Sequence, residues 1–372
     1  MNITIASKRV ANFFMVLMST VICLACQGGS PTETERIEYP LYVYSNAGST
    51  IHVIDYKKSE YATEIDLNFP DTLDFTGAEL STDRNYLIFR GYVSDLSNSN
   101  LHMANYNISK NTVEKIYSLP AIKSLPPPNY TAANLQEKSS LMFLYQQSSG
   151  WFSFDFMEGE IIEMISDFHD NIFSQFFECP MNEEWIAVNN MWLAGPGYTE
   201  LKIYPKEGDL NEPTYILNKM NEDSIFVYDM VFNKTGDRLY VSFQTSGGIS
   251  RETGESYFGY YDLTSKELIQ SDYILPWSLN PYYIAYSPLR EEVYVIGASD
   301  ILYIFDSQSN TILDAIQISG KIPGPSLITI TPDESTGFIS CSKSDFVAVI
   351  DLESRSLKKK ISVKHPYRLI LP

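Results

Sequence analysis

SPLREEVYVIGASDILYIFDSQSNTILDAIQI, residues 287–318, alternates strand-like segments with turns. Ser287–Glu291 contains proline and charged residues typical of a turn, and Glu292–Ile296 is rich in β-branched and aromatic residues. Asp306–Asn310 then separates a segment ending at Asp306 from another running from Thr311 to Ile318. Because an inner strand also precedes the first turn, this stretch predicts a unit of four antiparallel strands.

The same unit recurs along the chain. Seven segments end in, or near, the same residue type, and the intervals between their final residues are 50, 50, 50, 57, 44 and 45. A period near this length with four strands per unit is typical of β-propellers. The sequence therefore predicts an all-β fold: a seven-bladed β-propeller of four-stranded antiparallel blades over residues 41–372. The segments are Ile51–Asp55, Leu101–Asn105, Trp151–Asp155, Leu201–Pro205, Phe258–Asp262, Leu302–Asp306 and Val347–Asp351.

Five of these segments end in aspartate, which has a structural reason to recur. A carboxylate can accept N–H bonds from the backbone of the turn that follows it. A position at one hairpin of each blade also keeps the five side chains apart. They are therefore predicted to be turn residues rather than catalytic residues.

The ends of the chain predict how the propeller closes. Residues 366–372 read as an inner strand and the start of its turn, and Leu41–Tyr44 reads as the strand that comes next. One blade is therefore predicted to be shared between the N- and C-terminal segments. Such sharing removes an exposed strand edge.

The turns and strands resemble those of the YVTN-type propeller repeat family. In that family a Ser-Pro-Asp-Gly-like turn precedes a Leu-Tyr-Val strand, and here Thr331–Ser335 and Arg238–Phe243 are similar to these two motifs. The resemblance covers residues 41–372 and is best in the last two units. It implies the architecture and says little about activity.

Residues 1–25 read as an export signal. Lys8 and Arg9 precede an apolar stretch, and Ile22–Cys26 resembles a bacterial lipobox, although Cys23 stands where leucine is usual. The resemblance implies a lipoprotein anchored through Cys26 in the cell envelope, at the outer membrane, with residues 26–40 as a flexible tether. An ordinary cleaved signal peptide or a single membrane anchor are the alternatives.

The net charge narrows the classes of partner, and the cysteine positions indicate whether a disulfide can form. The formal net charge of -19 opposes nucleic-acid binding, which depends on Lys and Arg at phosphates. The cluster Lys358–Lys360 is interpreted as the protected edge of a sheet. Cys179 and Cys341 fall in blades that are not adjacent, so both are predicted to be buried thiols without a disulfide.

Variation in length concentrates on one predicted face. Loops joining second to third strands and loops joining blades share this face, and three of the former are long: Tyr92–Asn100, Asn190–Tyr198 and Gln244–Ser256. Long loops on a rigid scaffold are the first place to look for binding. The candidate ligand-binding residues are Trp192, Tyr198, Arg251, Trp277, Tyr282, His365 and Tyr367. Alternatively, the aromatic residues cap gaps between blades.

Catalytic signatures are mostly missing from the sequence. There is no Gly-x-Ser-x-Gly or His-Glu-x-x-His motif, and His52 and His102 are interpreted as structural residues at equivalent positions of two blades. No catalytic residue or cofactor is assigned. The first hypothesis is a non-catalytic binding or scaffold module for a protein, peptide or glycan. The alternative, by analogy with related propellers, is a lactonase-like hydrolase with a metal in the central channel. DNA binding ranks last.

Overall fold

We describe a computed structural model of the chain. The predicted signal peptide, Cys26 and most of the predicted tether lie outside the described residues, as does Cys179. The structure describes residues 37–45, 49–69, 73–81, 83–93, 101–119, 131–135, 141–146, 150–155, 157–158, 160–165, 173–178, 184–191, 198–205, 215–216, 225–245, 255–276, 283–297, 300–318 and 324–372.

The regular structure in these ranges consists of β-strands, which confirms the predicted all-β class. Runs of Val, Ile, Tyr and Phe favour strands, and short turns join them. The strands are β1 Pro40–Ser45, β2 Thr50–Asp55, β3 Glu60–Asp66, β4 Leu73–Leu80, β5 Tyr86–Val93, β6 Leu101–Asn107, β7 Thr112–Leu119, β8 Thr131–Leu135, β9 Leu141–Gln146, β10 Gly150–Asp155, β11 Glu160–Ile165, β12 Phe173–Glu178, β13 Glu184–Met191, β14 Tyr198–Pro205, β15 Tyr215–Ile216, β16 Ile225–Phe232, β17 Arg238–Thr245, β18 Ser256–Asp262, β19 Glu267–Leu275, β20 Tyr283–Ser287, β21 Glu292–Ile296, β22 Ile301–Asp306, β23 Ile312–Gln317, β24 Pro325–Ile330, β25 Thr336–Cys341, β26 Phe346–Asp351, β27 Ser356–Ser362 and β28 Pro366–Ile370.

The described strands form seven four-stranded antiparallel sheets, as the repeat predicts. Sheet 1 has the order β28-β1-β2-β3, so it combines strands from both ends of the chain. Sheets 2 to 7 each use four consecutive strands, beginning at β4, β8, β12, β16, β20 and β24. In sheet 1, Tyr42 of β1 lies opposite Ile370 of β28 and Val43 lies opposite Leu369. We call the first strand of each sheet, including β28, the inner strand.

Apolar side chains fill the spaces between sheets 5 and 6, 6 and 7, 7 and 1, and 1 and 2. Tyr294 and Ile304 of sheet 6 share one cluster with Phe346 and Ile350 of sheet 7. Val347 of sheet 7 packs in another cluster with residues of sheet 1. Both faces of each of these sheets are therefore buried, which explains why their middle strands are apolar at nearly every position rather than at every second one.

The turn role predicted for the five aspartates is confirmed. The Oδ1 atom of Asp306 accepts N–H bonds from Gln308 at 3.0 Å and Ser309 at 2.7 Å. The backbone then closes through Asn310 in the left-handed region, with φ of 60°. Asp55, Asp155, Asp262 and Asp351 accept backbone N–H bonds in the same way.

One repeat assignment from sequence is wrong by two residues. In the second unit the turn acceptor is Asn107, whose side chain accepts the N–H of Lys110 at 2.9 Å, and not Asn105. Both positions are asparagine, so the residue type alone could not separate them. With the corrected register, His52 lies three residues before its turn acceptor and His102 lies five before, so the two histidines do not occupy equivalent positions.

Lys358–Lys360 and Cys341 agree with their predicted structural roles. The three lysines lie in β27, the outermost strand of sheet 7, where exposed and partly buried side chains alternate. The Nζ atom of Lys360 lies 4.8 Å from the centre of the Phe346 ring. Cys341 is buried as a free thiol, and burial raises its pKa to about 12.

Candidate functional site

Two sets of connections divide the described strands into a turn face and a loop face. The turn face carries the connections from first to second and from third to fourth strands, such as the Asp306 turn. The loop face carries the connections from second to third strands and from one sheet to the next. The described residues of the turn face show how neighbouring sheets are joined there.

On the turn face, a turn of one sheet is bonded to the sheet that precedes it. The Ser307 carbonyl oxygen of sheet 6 accepts hydrogen bonds from Arg238 Nη1 at 2.9 Å and from the Tyr240 hydroxyl at 3.0 Å, both in sheet 5. Between sheets 2 and 3, the Tyr117 hydroxyl donates to the Met157 carbonyl oxygen at 2.8 Å. Lys57 of sheet 1 forms an ion pair with Asp333 of sheet 7.

Glu292, a buried carboxylate, is the centre of another of these contacts. Its carboxylate accepts hydrogen bonds from Arg290 at 3.1 Å, from Arg355 of sheet 7 at 2.8 Å and from the Tyr294 hydroxyl. Burial opposes ionisation of Glu292, but these hydrogen bonds outweigh it and hold the pKa of Glu292 below its ordinary value. The turn face is therefore used largely to join sheets.

The loop face has the longer connections. Within sheets, residues 94–100, 192–197 and 246–255 join second to third strands, in agreement with the three long loops predicted from sequence. Four predicted site residues, Trp192, Arg251, Trp277 and Tyr282, lie outside the described residues. Tyr198 is the first residue of β14, and its side chain is also outside the description.

His365 lies on the loop face, in the connection between β27 and β28. Its backbone has φ of 46° and its N–H donates to Asp345 Oδ1 at 2.8 Å. The imidazole Nδ1 lies 3.2 Å from the same carboxylate oxygen, and the side chain is exposed. Ser45 is nearby, but its hydroxyl donates to the carbonyl oxygens of Lys364 and His365. The three residues therefore do not form a nucleophilic triad, because the serine hydroxyl is directed at the backbone.

The inner strands bring together a second group of residues. Asp229 in β16 and Tyr283 in β20 each lie four residues before the first turn of their sheet, which starts at Asn233 and Ser287, and Arg368 lies in the corresponding strand of sheet 1, β28. In β16 and β28 a β-bulge immediately precedes this position, at Tyr228 and Tyr367. Bulges redirect side chains and are common next to functional sites. We call Asp229, Tyr283, Tyr367 and Arg368 the inner cluster.

Contacts and electrostatic interactions link the residues of the inner cluster: Asp229 Oδ2 accepts the Ile284 N–H at 2.8 Å, next to Tyr283, and the Arg368 guanidinium lies 5.5 Å from the centre of the Tyr367 ring. Burial raises the pKa of Asp229 to about 6, against hydrogen bonds from the backbone of Ile284 and Met230 and the charge of Arg368. Burial also raises the pKa of Tyr283 to about 12, with further contributions from Tyr367 and Asp229. Residues from sheets 1, 5 and 6 thus lie within electrostatic reach of one another.

Sequence reasoning selected Tyr367 from this cluster and missed the other three residues. A signal was present for Asp229 and Tyr283, because each stands four residues before a recognisable turn. Within the described ranges, no three side chains of His, Cys, Asp or Glu come together as the ligands of a metal would. The described part of the chain also contains no helical segment with the length and hydropathy of a membrane span.

Comparison with known proteins supports the fold class. No protein-family model matches the chain, and no curated protein matches it. Among solved structures, it is similar to dihydro-heme d1 dehydrogenase NirN in complex with DHE, with a TM-score of 0.57 and 12% identity over 95% of this chain and 79% of that chain. It is also similar to a functionally unknown protein from Desulfotomaculum acetoxidans DSM 771, with a TM-score of 0.57 and 13% identity over 90% of this chain and 98% of that chain.

At these identities the likeness concerns the fold alone. Together with the four-stranded antiparallel sheets, it defines the chain as an all-β protein with a propeller-like fold.

Proposed function

We propose that the seven sheets are the blades of a seven-bladed β-propeller of the YVTN type, arranged in chain order and closed by sheet 1. Contacts between neighbouring inner strands support this arrangement: β16 with β20, β20 with β24, β24 with β28, and β28 with β4. Sheets 3 and 4 are in contact through β8 and β12, and sheets 4 and 5 through β14 and β16. The Tyr117 hydrogen bond to Met157 joins the remaining neighbours, sheets 2 and 3.

The second part of the proposal is that the chain is a lipoprotein of the cell envelope, anchored through Cys26 at the outer membrane. The chain reaches sheet 1 from the turn face, because the Tyr56 N–H donates to the Tyr39 carbonyl oxygen at 2.9 Å and the two rings pack edge to face at 5.5 Å. A tether that ends there would hold the turn face toward the membrane. The loop face would then point away from the lipid and remain accessible.

The anchor is tested by Cys26→Ala. We expect the variant to lose incorporation of labelled fatty acid and to move from the membrane fraction to the soluble fraction. Cys23→Ala is the matched control and should keep both properties. Retention of the label by the Cys26 variant would contradict lipidation at this residue.

The third part is function: the loop face is the binding surface of a non-catalytic module for a protein, peptide or glycan partner. The observation that carries this proposal is the asymmetry of the two faces. Buried polar groups such as Glu292 are used to join sheets on the turn face, whereas the long connections are on the other face. Rigid scaffolds commonly place recognition on such loops.

Binding is tested with the whole chain carrying Trp192→Ala, Arg251→Ala and Trp277→Ala together. Envelope extracts and a glycan array are probed with the wild type and this variant. We expect the variant to lose partners that the wild type retains. A variant with the exposed turn-face lysines replaced, at Lys58 and Lys266, should bind normally. Equal binding by both variants and the wild type would contradict a loop-face site.

The other functions considered from sequence receive less support. The net charge of -19 disfavours nucleic acid as a partner. No described observation favours the lactonase-like alternative, which calls for a group of acidic metal ligands in the channel.

A further inference from the structure

The inner cluster offers hydrogen-bond donors without acceptors. Arg368 Nε is buried and has no hydrogen-bond partner among the described residues. Tyr283 and Tyr367 are partly buried, and their side-chain hydroxyls form no hydrogen bond within the described part of the chain. A buried guanidinium nitrogen without an acceptor is costly, so such a group commonly marks a site for a ligand or an ordered water.

Asp229 does not supply the missing acceptor for Arg368 Nε. Its Oδ2 accepts the Ile284 N–H at 2.8 Å, and its carboxyl also accepts the Met230 N–H, so the group is directed at backbone donors. No described acidic side chain lies within 4.0 Å of the Arg368 guanidinium. Among the described residues, the positive charge of Arg368 therefore has no direct counterion.

The chemistry of the cluster selects the class of ligand. Arginine binds planar oxyanions well because its donors match two oxygens at once. One guanidinium and two neutral hydroxyls suit a singly charged carboxylate. A doubly charged phosphate suits the cluster less well, because Asp229 lies nearby and the whole chain carries a net charge of -19.

We infer that Arg368, Tyr283 and Tyr367 form a binding site for a carboxylate group at the centre of the inner strands. Arg368 supplies the charge and the two tyrosines supply neutral donors. This site is separate from the loop residues of the proposed function. A failure to bind carboxylates would leave the loop-face proposal untouched, and the reverse also holds.

The test is isothermal titration of the whole chain in detergent with acetate, and with acetamide as the matched neutral probe. We expect acetate to bind and acetamide not to bind, with inorganic phosphate weaker than acetate. Arg368→Gln should weaken acetate binding by about tenfold or more, the range for hydrogen bonds to charged groups. Tyr283→Phe should weaken it by about threefold to tenfold while preserving the ring. Arg84→Gln, which removes an exposed arginine, should change nothing.

Three results would overturn the inference. They are equal binding of acetate and acetamide, including no binding of either; tighter binding of phosphate than of acetate; and unchanged acetate affinity in both the Arg368 and Tyr283 variants. If Arg368→Gln fails to fold, Tyr283→Phe alone decides the question, because it removes only a hydroxyl.

Discussion

Asp229 should make the protein less stable as pH rises, and Asp229→Asn should remove that effect. Burial raises the pKa of Asp229 to about 6, above its ordinary value of 3.8. The native state therefore holds this proton more tightly than the unfolded state. The stabilisation is fully present below about pH 4 and is lost as pH rises through about 6.

The magnitude follows from the size of the shift. A difference of about two pKa units corresponds to about 3 kcal/mol at about 1.4 kcal/mol per unit. Asparagine is uncharged and still offers an oxygen to the Ile284 N–H. We therefore expect Asp229→Asn to exceed the wild type in free energy of unfolding by up to about 3 kcal/mol near pH 8. The two proteins should be about equal near pH 4.

Urea unfolding over a series of pH values measures this difference. Asp272→Asn is the control, since it removes an exposed carboxylate from β19 and should change stability by no more than about 0.5 kcal/mol. Parallel pH profiles for the wild type and Asp229→Asn would refute the reasoning. So would a variant that is less stable than the wild type near pH 8.

Three further changes test the fold. Deleting residues 366–372 removes β28 from β1, and a truncated chain that melted like the wild type would contradict the role of this pairing. Gly324→Ala should cost about 1 kcal/mol or more in urea unfolding, because Gly324 has φ of 60° and a Cβ would lie 2.5 Å from Lys343 Cγ. Adding Lys343→Ala to Gly324→Ala should relieve the contact with the Lys343 side chain but not the strain of the positive φ. Full recovery of stability in the double variant would therefore exclude backbone strain. Glu292→Gln should cost about 2 kcal/mol in the same assay by leaving two arginines without their shared carboxylate, and unchanged stability would contradict this.

The parts of the fold that sequence predicted are those with local causes. An aspartate such as Asp306 forms hydrogen bonds two and three residues further along, so its turn can be recognised from neighbouring residues alone. The turn of the second unit could not be assigned in this way. Asn105 and Asn107 are the same residue type, and only the strand register shows that Asn107 accepts the turn hydrogen bond.

The inner cluster could not be predicted with the same ease, because its causes are not local. Asp229 and Arg368 are far apart in sequence and lie in strands of different sheets. The raised pKa of Asp229 depends on burial, which becomes visible only when the sheets are assembled. His365 was selected from sequence as a loop residue, but its contact with Asp345 depends on how two loops of neighbouring sheets meet.

The pairing of β28 with β1 also has a consequence for biosynthesis. A ribosome delivers the chain from its N-terminus onward, so β1, β2 and β3 emerge first and β28 follows every other described strand. Sheet 1 is thus begun first and completed last. During this interval β1 exposes a row of unpaired backbone groups, which other chains could join. Chaperones that bind extended chains should therefore matter more for this protein than for one whose sheets are each made from consecutive strands.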